Sequence, residues 1–458
     1  MNPHSFPAAA RAAAVDAGLH RLFWRVHFWA GLITAPIVLF AALTGLLYVF
    51  TPQIEASVHA DVDRVPVGTS LAPLDAQLFA ARAAMDGAAP RSIVPAFEAG
   101  DTAQVFFAAP PSAHAGHAMA GEKGHDHGLP QGHIVYVDPY TAQVVGTLAE
   151  MERFKTWAKK LHSSALQGDG WRWLIELAAS WMLVMFATGL YLWWPRSQAA
   201  GGPGWRALVP RFGRGRSTWR DLHASLALLM SGVLVVVLVT GLTWSRHTGE
   251  NFRAAQEALG QASPRAPKHL RSAPLDGRTP LSLQSVFDAA RAHAPDVQMQ
   301  LMPPKGDNGV WRVENFDRSQ PRKRFSLVLD AGTGALLHQS GWQDFPLVPQ
   351  ATAVGIPFHR GEFGAWNQAL LALAALVAIF SVVSGGVMWW QRRPARRVGV
   401  PGVSLRQVRT VPVYLWLLVV AMAWAMPVFG ISAAVLVGAE LAAAAWRRSS
   451  SSFTRSTS

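Results

Sequence analysis

The chain has 458 residues, half of them hydrophobic, and a formal net charge of +13. Several uncharged runs near or beyond about 20 residues mark an integral membrane protein rather than a soluble one. There is no cysteine, which excludes disulfides, thiolate-held iron–sulfur clusters and thioether-linked haem.

Charge placement argues against nucleic acid as the partner of this basic chain. Six arginines fall between residues 196 and 220 and six more between 392 and 409, each group in a short loop between apolar runs. That is the positive-inside pattern, and it predicts that both loops are cytoplasmic.

Taken in order, residues 1–51 are a cytoplasmic N-terminus and a first span at about 27–50. The apolar run Phe28 to Phe50 is too long for a cleaved signal, so this span is expected to be retained. Residues 52–160 form a polar periplasmic segment. Residues 161–245 hold spans two (about 171–194) and three (223–244), joined by the first Arg-rich loop. A second polar segment covers 246–357. Residues 358–393 carry span four, and 394–410 the second basic loop. The apolar tract within 411–448 is too long for one untilted crossing. Pro427 and Gly430 sit near its middle, which predicts a hairpin of two short spans. Residues 449–458 are a cytoplasmic tail.

The spans repeat. Residues 27–46 read HFWAGLITAPIVLFAALTGL and residues 223–242 read HASLALLMSGVLVVVLVTGL. A histidine opens each run, and Thr-Gly-Leu follows seventeen residues later. His162 and His359 likewise precede Trp193-Trp194 and Trp389-Trp390 by 30 to 32 residues, with Thr188-Gly189 and Ser384-Gly385 between. An internal duplication is expected. The polar segments match too. Residues 71–85 and 281–292 have helical spacing. Strand-like runs follow at Gln104–Ala108 and His133–Val137, and at Val310–Phe316 and Arg324–Leu329. Asp138 and Asp330 open equivalent turns. The fold class is therefore a mainly α membrane bundle of four long spans plus a hairpin, with two small α+β modules outside the membrane.

Alternating span direction puts His27 and His223 at the cytoplasmic face and His162 and His359 at the periplasmic face. Bis-histidine haem ligation needs two imidazoles from separate elements facing each other, and this arrangement provides it twice. The competing reading makes each histidine a polar interfacial anchor. His20, two turns before His27, has no equivalent in the second repeat. Trp29, Gly31, Trp181, Gly189, Gly232, Gly241, Phe380 and Gly385 are candidate wall residues. A second cluster, His114, His117, His125, His127 and His133, lies in a Gly/Ala-rich stretch and suits Zn, Cu or Ni, or is a solvated insertion. Glu176 and Glu440 fall within apolar runs and call for proton handling or a polar partner. No Gly-x-Gly-x-x-Gly opens a helix after a strand, so no flavin or nicotinamide site is expected. No catalytic residue can be assigned.

The runs HSSALQGDGWRWLIELAASWMLVMFATGLYLWWPR, WRDLHASLALLMSGVLVVVLVTGLTW and PFHRGEFGAWNQALLALAALVAIFSVVSGGVMWWQRRP resemble the PepSY-associated transmembrane proteins of Gram-negative bacteria, over roughly residues 20–448. The resemblance implies an inner-membrane protein with PepSY-like periplasmic modules. Better understood members are iron-regulated ferrisiderophore reductases with b-type haems, and His27, His162, His223 and His359 match their histidine-bearing motifs. On that basis two haems b are expected. So is a cytoplasmic or quinol electron donor, and a periplasmic ferric chelate as the acceptor that gives up Fe(II). The alternative is a non-redox PepSY-type regulatory, assembly or metal-binding membrane protein.

Overall fold

A computed structural model describes residues 8–109, 129–199, 209–393 (apart from 211, 214, 276, 278 and 307) and 411–455. Its helices in chain order are α1 (Ala8–Val49), α2 (Thr51–Val58), α3 (Ala60–Asp63), α4 (Leu74–Ala83), α5 (Phe154–Ser164), α6 (Trp173–Ala199), α7 (Arg216–Leu242), α8 (His247–Ala258), α9 (Leu283–Arg291), α10 (Leu347–His359), α11 (Ala365–Arg392), α12 (Val413–Ala425) and α13 (Pro427–Arg455). The strands are β1 (Pro90–Val94), β2 (Ala103–Phe107), β3 (His133–Val137), β4 (Val144–Ala149), β5 (Met299–Met302), β6 (Val310–Asn315), β7 (Phe325–Asp330) and β8 (Leu336–Gly341). They divide into a helical unit (Met1–Leu46, Trp171–Ala255, Ala369–Ser458) and a sheet unit (Leu47–Gly170, Gln256–Gln368).

The helical unit contains four stretches long and apolar enough to cross a membrane: Ala17–Val49, Asp169–Trp194, Arg216–Leu242 and Ala365–Arg392. The shortest has 26 residues and rises about 39 Å, more than a hydrocarbon core of about 30 Å. Most of their side chains are not covered by protein; Leu43, Leu229, Val239 and Leu376 are open to the surroundings. That suits lipid contact, where apolar side chains need no burial against protein.

The C-terminal tract breaks at Met426-Pro427. Pro427 opens α13, where its missing N–H costs nothing, and Met426 leaves the helical region with φ −123° and ψ 82°. The bend brings the arms into contact: a Cβ added to Gly430 would meet the Ala423 carbonyl oxygen at 2.9 Å. The first arm is short, but the second continues as helix to Arg455. It is fastened to the spans by Trp181 Nε1, which donates to Ser432 Oγ at 2.9 Å, and by Arg25 Nε, which donates to Glu440 Oε1 at 3.1 Å. Glu440 thus has an ionic partner. Glu176 is buried, and it accepts from the His247 and Thr248 backbone N–H groups and from the Thr248 hydroxyl. It caps the start of α8, where orphan N–H groups need acceptors. This explains why α8 begins within the helical unit although its sequence is polar.

In the sheet unit the two polar segments each contribute helices and four strands. All strands form one antiparallel sheet in the order β4-β3-β2-β1-β5-β6-β7-β8. Two four-stranded meanders meet where β1 pairs with β5 at Ile93 and Leu301. Gln300 Nε2 donates to Ser92 Oγ at 2.6 Å across that seam. Below the sheet, Val105, Phe107, Val135 and Val137 from one meander and Leu301, Val313, Leu327 and Leu329 from the other share one core with α4 and α9.

The two meanders turn identically at their last hairpin. Asp138 N–H donates to the Gln143 carbonyl at 2.8 Å, and Asp330 N–H to the Ala335 carbonyl at 2.9 Å. Asp138 Oδ1 accepts from Tyr140 N, while Asp330 Oδ1 accepts from Gly332 N and Thr333 N. Position five is left-handed in both: Ala142 has φ 56° and Gly334 φ 71°, a conformation that glycine adopts without penalty. Burial alone would raise the Asp330 carboxyl. The bonds from Ala273, Thr333 and Gly332 outweigh it and hold the group below the usual carboxylate range.

Helix α5 is anchored through Arg153, which binds Glu55 at 2.8 Å and Asp63 at 2.6 Å. Its neighbours Phe154 and Lys155 donate backbone N–H groups to His59 Nε2 and Glu55 Oε1. These bonds satisfy the first turn of a helix that has no side-chain cap at Arg153.

Candidate cofactor-binding site

His27 lies on α1 and His223 on α7, both in the helical unit and within electrostatic reach of each other. Each is held by a hydroxyl from a different span. His27 Nδ1 lies 3.0 Å from Thr188 Oγ1 on α6, and His223 Nδ1 lies 2.8 Å from Ser384 Oγ on α11. Both contacts span 161 residues of sequence. One turn before each histidine an aromatic ring packs on the same partner span. Phe23 lies 4.4 Å from Tyr191 and Trp219 stacks 6.0 Å from Phe380, measured between ring centres. Four helices thus supply two copies of the histidine–hydroxyl contact, while the aromatic partners differ, since Tyr191 follows Thr188 and Phe380 precedes Ser384.

The surroundings suit a flat apolar group. A Cβ on Gly189 would come within 3.2 Å of His27 Cε1, so glycine lets the imidazole lie against α6. Nothing lies within 4 Å of where a Cβ on Gly232, Gly385 or Gly386 would project. Trp29 Nε1 is buried and has no hydrogen-bond partner among the described residues. A buried N–H without an acceptor is costly, and a bound group offering an oxygen would relieve it. Of the other wall candidates, Phe380 packs on Trp219, whereas Trp181 is engaged by Phe429 and Ser432 of the C-terminal hairpin.

His162 and His359 fall in the sheet unit. His162 is near the end of α5 and His359 closes α10, and each helix is followed by a short connection into a span. They therefore lie before their spans rather than in them. Around α5 cations and carboxylates are interleaved, Lys160 with Asp169 at 3.1 Å and Arg318 with Glu314 at 3.9 Å. Lys155, Lys160, Arg318 and Arg360 all act on Lys159. Arg360 binds Glu362 at 2.7 Å and donates to the Tyr48 hydroxyl at 3.1 Å, while Lys155 is 3.8 Å from the same Glu362.

His114, His117, His125 and His127 lie outside the described residues. His133 stands on β3, paired with Phe107 and Ala149, and its buried Nδ1 has no partner among the described residues. Among those residues no group of three or more His, Asp or Glu side chains is placed to hold a metal ion.

Sequence reasoning named the four histidines but not the hydroxyls that hold two of them. Thr188 and Ser384 were visible only as small residues beside glycine. Their shared separation of 161 residues from a histidine was the available signal.

No curated protein matches the chain. The family model for the PepSY-associated TM region matches residues 24–392, a stretch containing all four histidines and both polar segments. The chain is a multi-pass membrane protein and belongs to the PepSY-associated transmembrane family.

Proposed function

We propose that the protein carries electrons across a bacterial inner membrane to an iron chelate outside it. His27 and His223 would hold one haem b and His162 and His359 a second. Bound haem supplies reversible one-electron chemistry at potentials set by its ligands and surroundings. The chain's own residues hold the imidazoles of His27 and His223 in place. The observation that carries the proposal is the matched pair His27–Thr188 and His223–Ser384. Two imidazoles from different helices, each fixed at Nδ1, leave both Nε2 atoms available.

The same correspondence, with the twin meanders and their twin Asp turns, supports an internal duplication. The arginine distribution supports cytoplasmic termini and basic loops. Electrons would enter from a cytoplasmic or quinol donor. The acceptor would be a ferric chelate, reduced by one electron to Fe(II), which hard oxygen donors hold less tightly.

Purified full-length protein should contain two low-spin haems b and, once chemically reduced, should pass electrons to a ferric siderophore with release of Fe(II). A colourless protein would exclude this function and favour a non-redox regulatory, assembly or metal-binding role.

A further inference from the structure

The hydroxyls at Thr188 and Ser384 do more than fill space. Thr188 has one hydroxyl proton, and the hydroxyl lies 2.8 Å from the Val184 carbonyl and 3.2 Å from that of Met185. A carbonyl only accepts, so the proton is committed to the helix backbone. With that proton on the backbone, Thr188 Oγ1 accepts from His27, and Nδ1 is the protonated nitrogen of that arrangement. Ser384 repeats the logic. Its hydroxyl donates to the Ser381 carbonyl at 3.2 Å. In a neutral imidazole a proton on Nδ1 leaves a lone pair on Nε2.

We propose that Thr188 and Ser384 are positioning residues that lock His27 and His223 in the Nδ1–H tautomer, presenting both Nε2 atoms as electron-pair donors to one metal centre. The inference rests on the haem-holding role proposed above for this histidine pair. A hydrogen bond from Nδ1–H also makes Nε2 more basic and favours the ferric state of a bound iron. The matched placement gives both ligands the same bias, so the pair acts as one unit. The hydroxyl is required, but the extra methyl of threonine is not.

Two measurements test this on the full-length protein. In haem-free protein, nitrogen NMR of labelled histidine should show His27 and His223 protonated at Nδ1. Protonation at Nε2 in either would overturn the proposal. In haem-loaded protein, Thr188→Val and Ser384→Ala should weaken haem retention about 10- to 100-fold and shift the midpoint potential of one haem positive. Thr188→Ser and Ser384→Thr should restore both. Unchanged potential and retention in Thr188→Val and Ser384→Ala, with haem present, would sink the positioning role alone. A wild-type protein that takes up no haem would sink the cofactor role, and the NMR result would still decide the tautomer. Should Thr188→Val or Ser384→Ala fail to fold, the conservative pair and the wild-type NMR remain decisive.

Discussion

Asp75 and Gln284 occupy the second position of α4 and α9, and each side chain caps the other's helix. Asp75 accepts from the Leu283 and Gln284 backbone N–H groups at 2.8 and 3.1 Å. Gln284 Oε1 accepts from the Leu74 N–H at 3.1 Å. The exchange is reciprocal, though α9 has an additional cap of its own in Ser282, which accepts from Ser285 N. It ties the two halves of the sheet unit together at the helix layer, as the β1–β5 seam does in the sheet.

These caps should be unequal. Asp75→Ala leaves two N–H groups without their acceptor and removes a charge near a helix N-terminus, so it should destabilise by about 1–2 kcal/mol. Gln284→Ala frees one N–H and should cost about 0.5–1 kcal/mol. Hydrogen exchange on the full-length protein checks this. Asp75→Ala should speed exchange at Leu283 and Gln284, and Gln284→Ala at Leu74. Equal effects of both changes on α9 would refute the exchange of caps.

Asp330 gives a pH test. Its folded-state carboxyl is held below the ordinary range, so its contribution is fully present above the unfolded value of about 4. That contribution is lost as pH falls through the lower folded value. Asp330→Ala should therefore lower thermal stability at pH 7, by about 1.5–3 kcal/mol if the bonds behave as charge-assisted ones. The gap to wild type should close progressively below about pH 4. Melting curves across pH 3 to 7 check it; a constant gap would contradict it.

Gly189 permits the approach of α6 to His27. Gly189→Ala would force its Cβ to 3.2 Å from His27 Cε1. The expected result is a displaced imidazole and a changed absorption spectrum or lost haem at that centre. Gly438→Ala, with open space at its Cβ, should leave the spectrum unchanged. Identical spectra for both variants would contradict the tight contact.

Ligand pairing yields the strongest functional test. His223→Ala should remove or convert to high spin one haem and leave the other low-spin. His359→Ala should do so for the second haem. Either change should abolish electron delivery to an external ferric chelate, because transfer needs both centres in series. Two low-spin haems in each variant would break the proposed pairing. Full-rate reduction by His223→Ala without its haem would break the conduit.

The four spans were legible because a bilayer demands long uncharged runs, and such runs stand out in any chain. The Pro427 break was legible for the reason that proline removes a donor. Helices α4 and α9, strands β2, β3, β6 and β7, and the Asp138 and Asp330 turns were also foreseen, because each carries its own periodicity or turn chemistry. The single sheet was not legible. Its seam is one antiparallel pairing between β1 and β5, short strands whose local pattern says nothing of a partner about 200 residues away. Strands β4 and β8 escaped notice for a related reason, since they lie at the sheet edges and lack strict alternation. At the candidate site the histidines announced themselves by type and spacing. The hydroxyls did not, since threonine and serine are ordinary residues of apolar helices.

The seam between β1 and β5 also sets a problem of timing. Strand β1 ends at Val94 and β5 begins at Met299, so 299 − 94 = 205 residue steps separate them. At about 5–20 residues per second, a ribosome takes about 10–40 s to make that length. Throughout that interval the first meander exists with Ile93 and Val94 on an open edge and its half of the shared core uncovered. An unpaired strand edge is a template for the wrong neighbour, including another copy of itself. Crowded synthesis would favour an exchange at this edge, in which the first meander of one molecule is completed by the second meander of another.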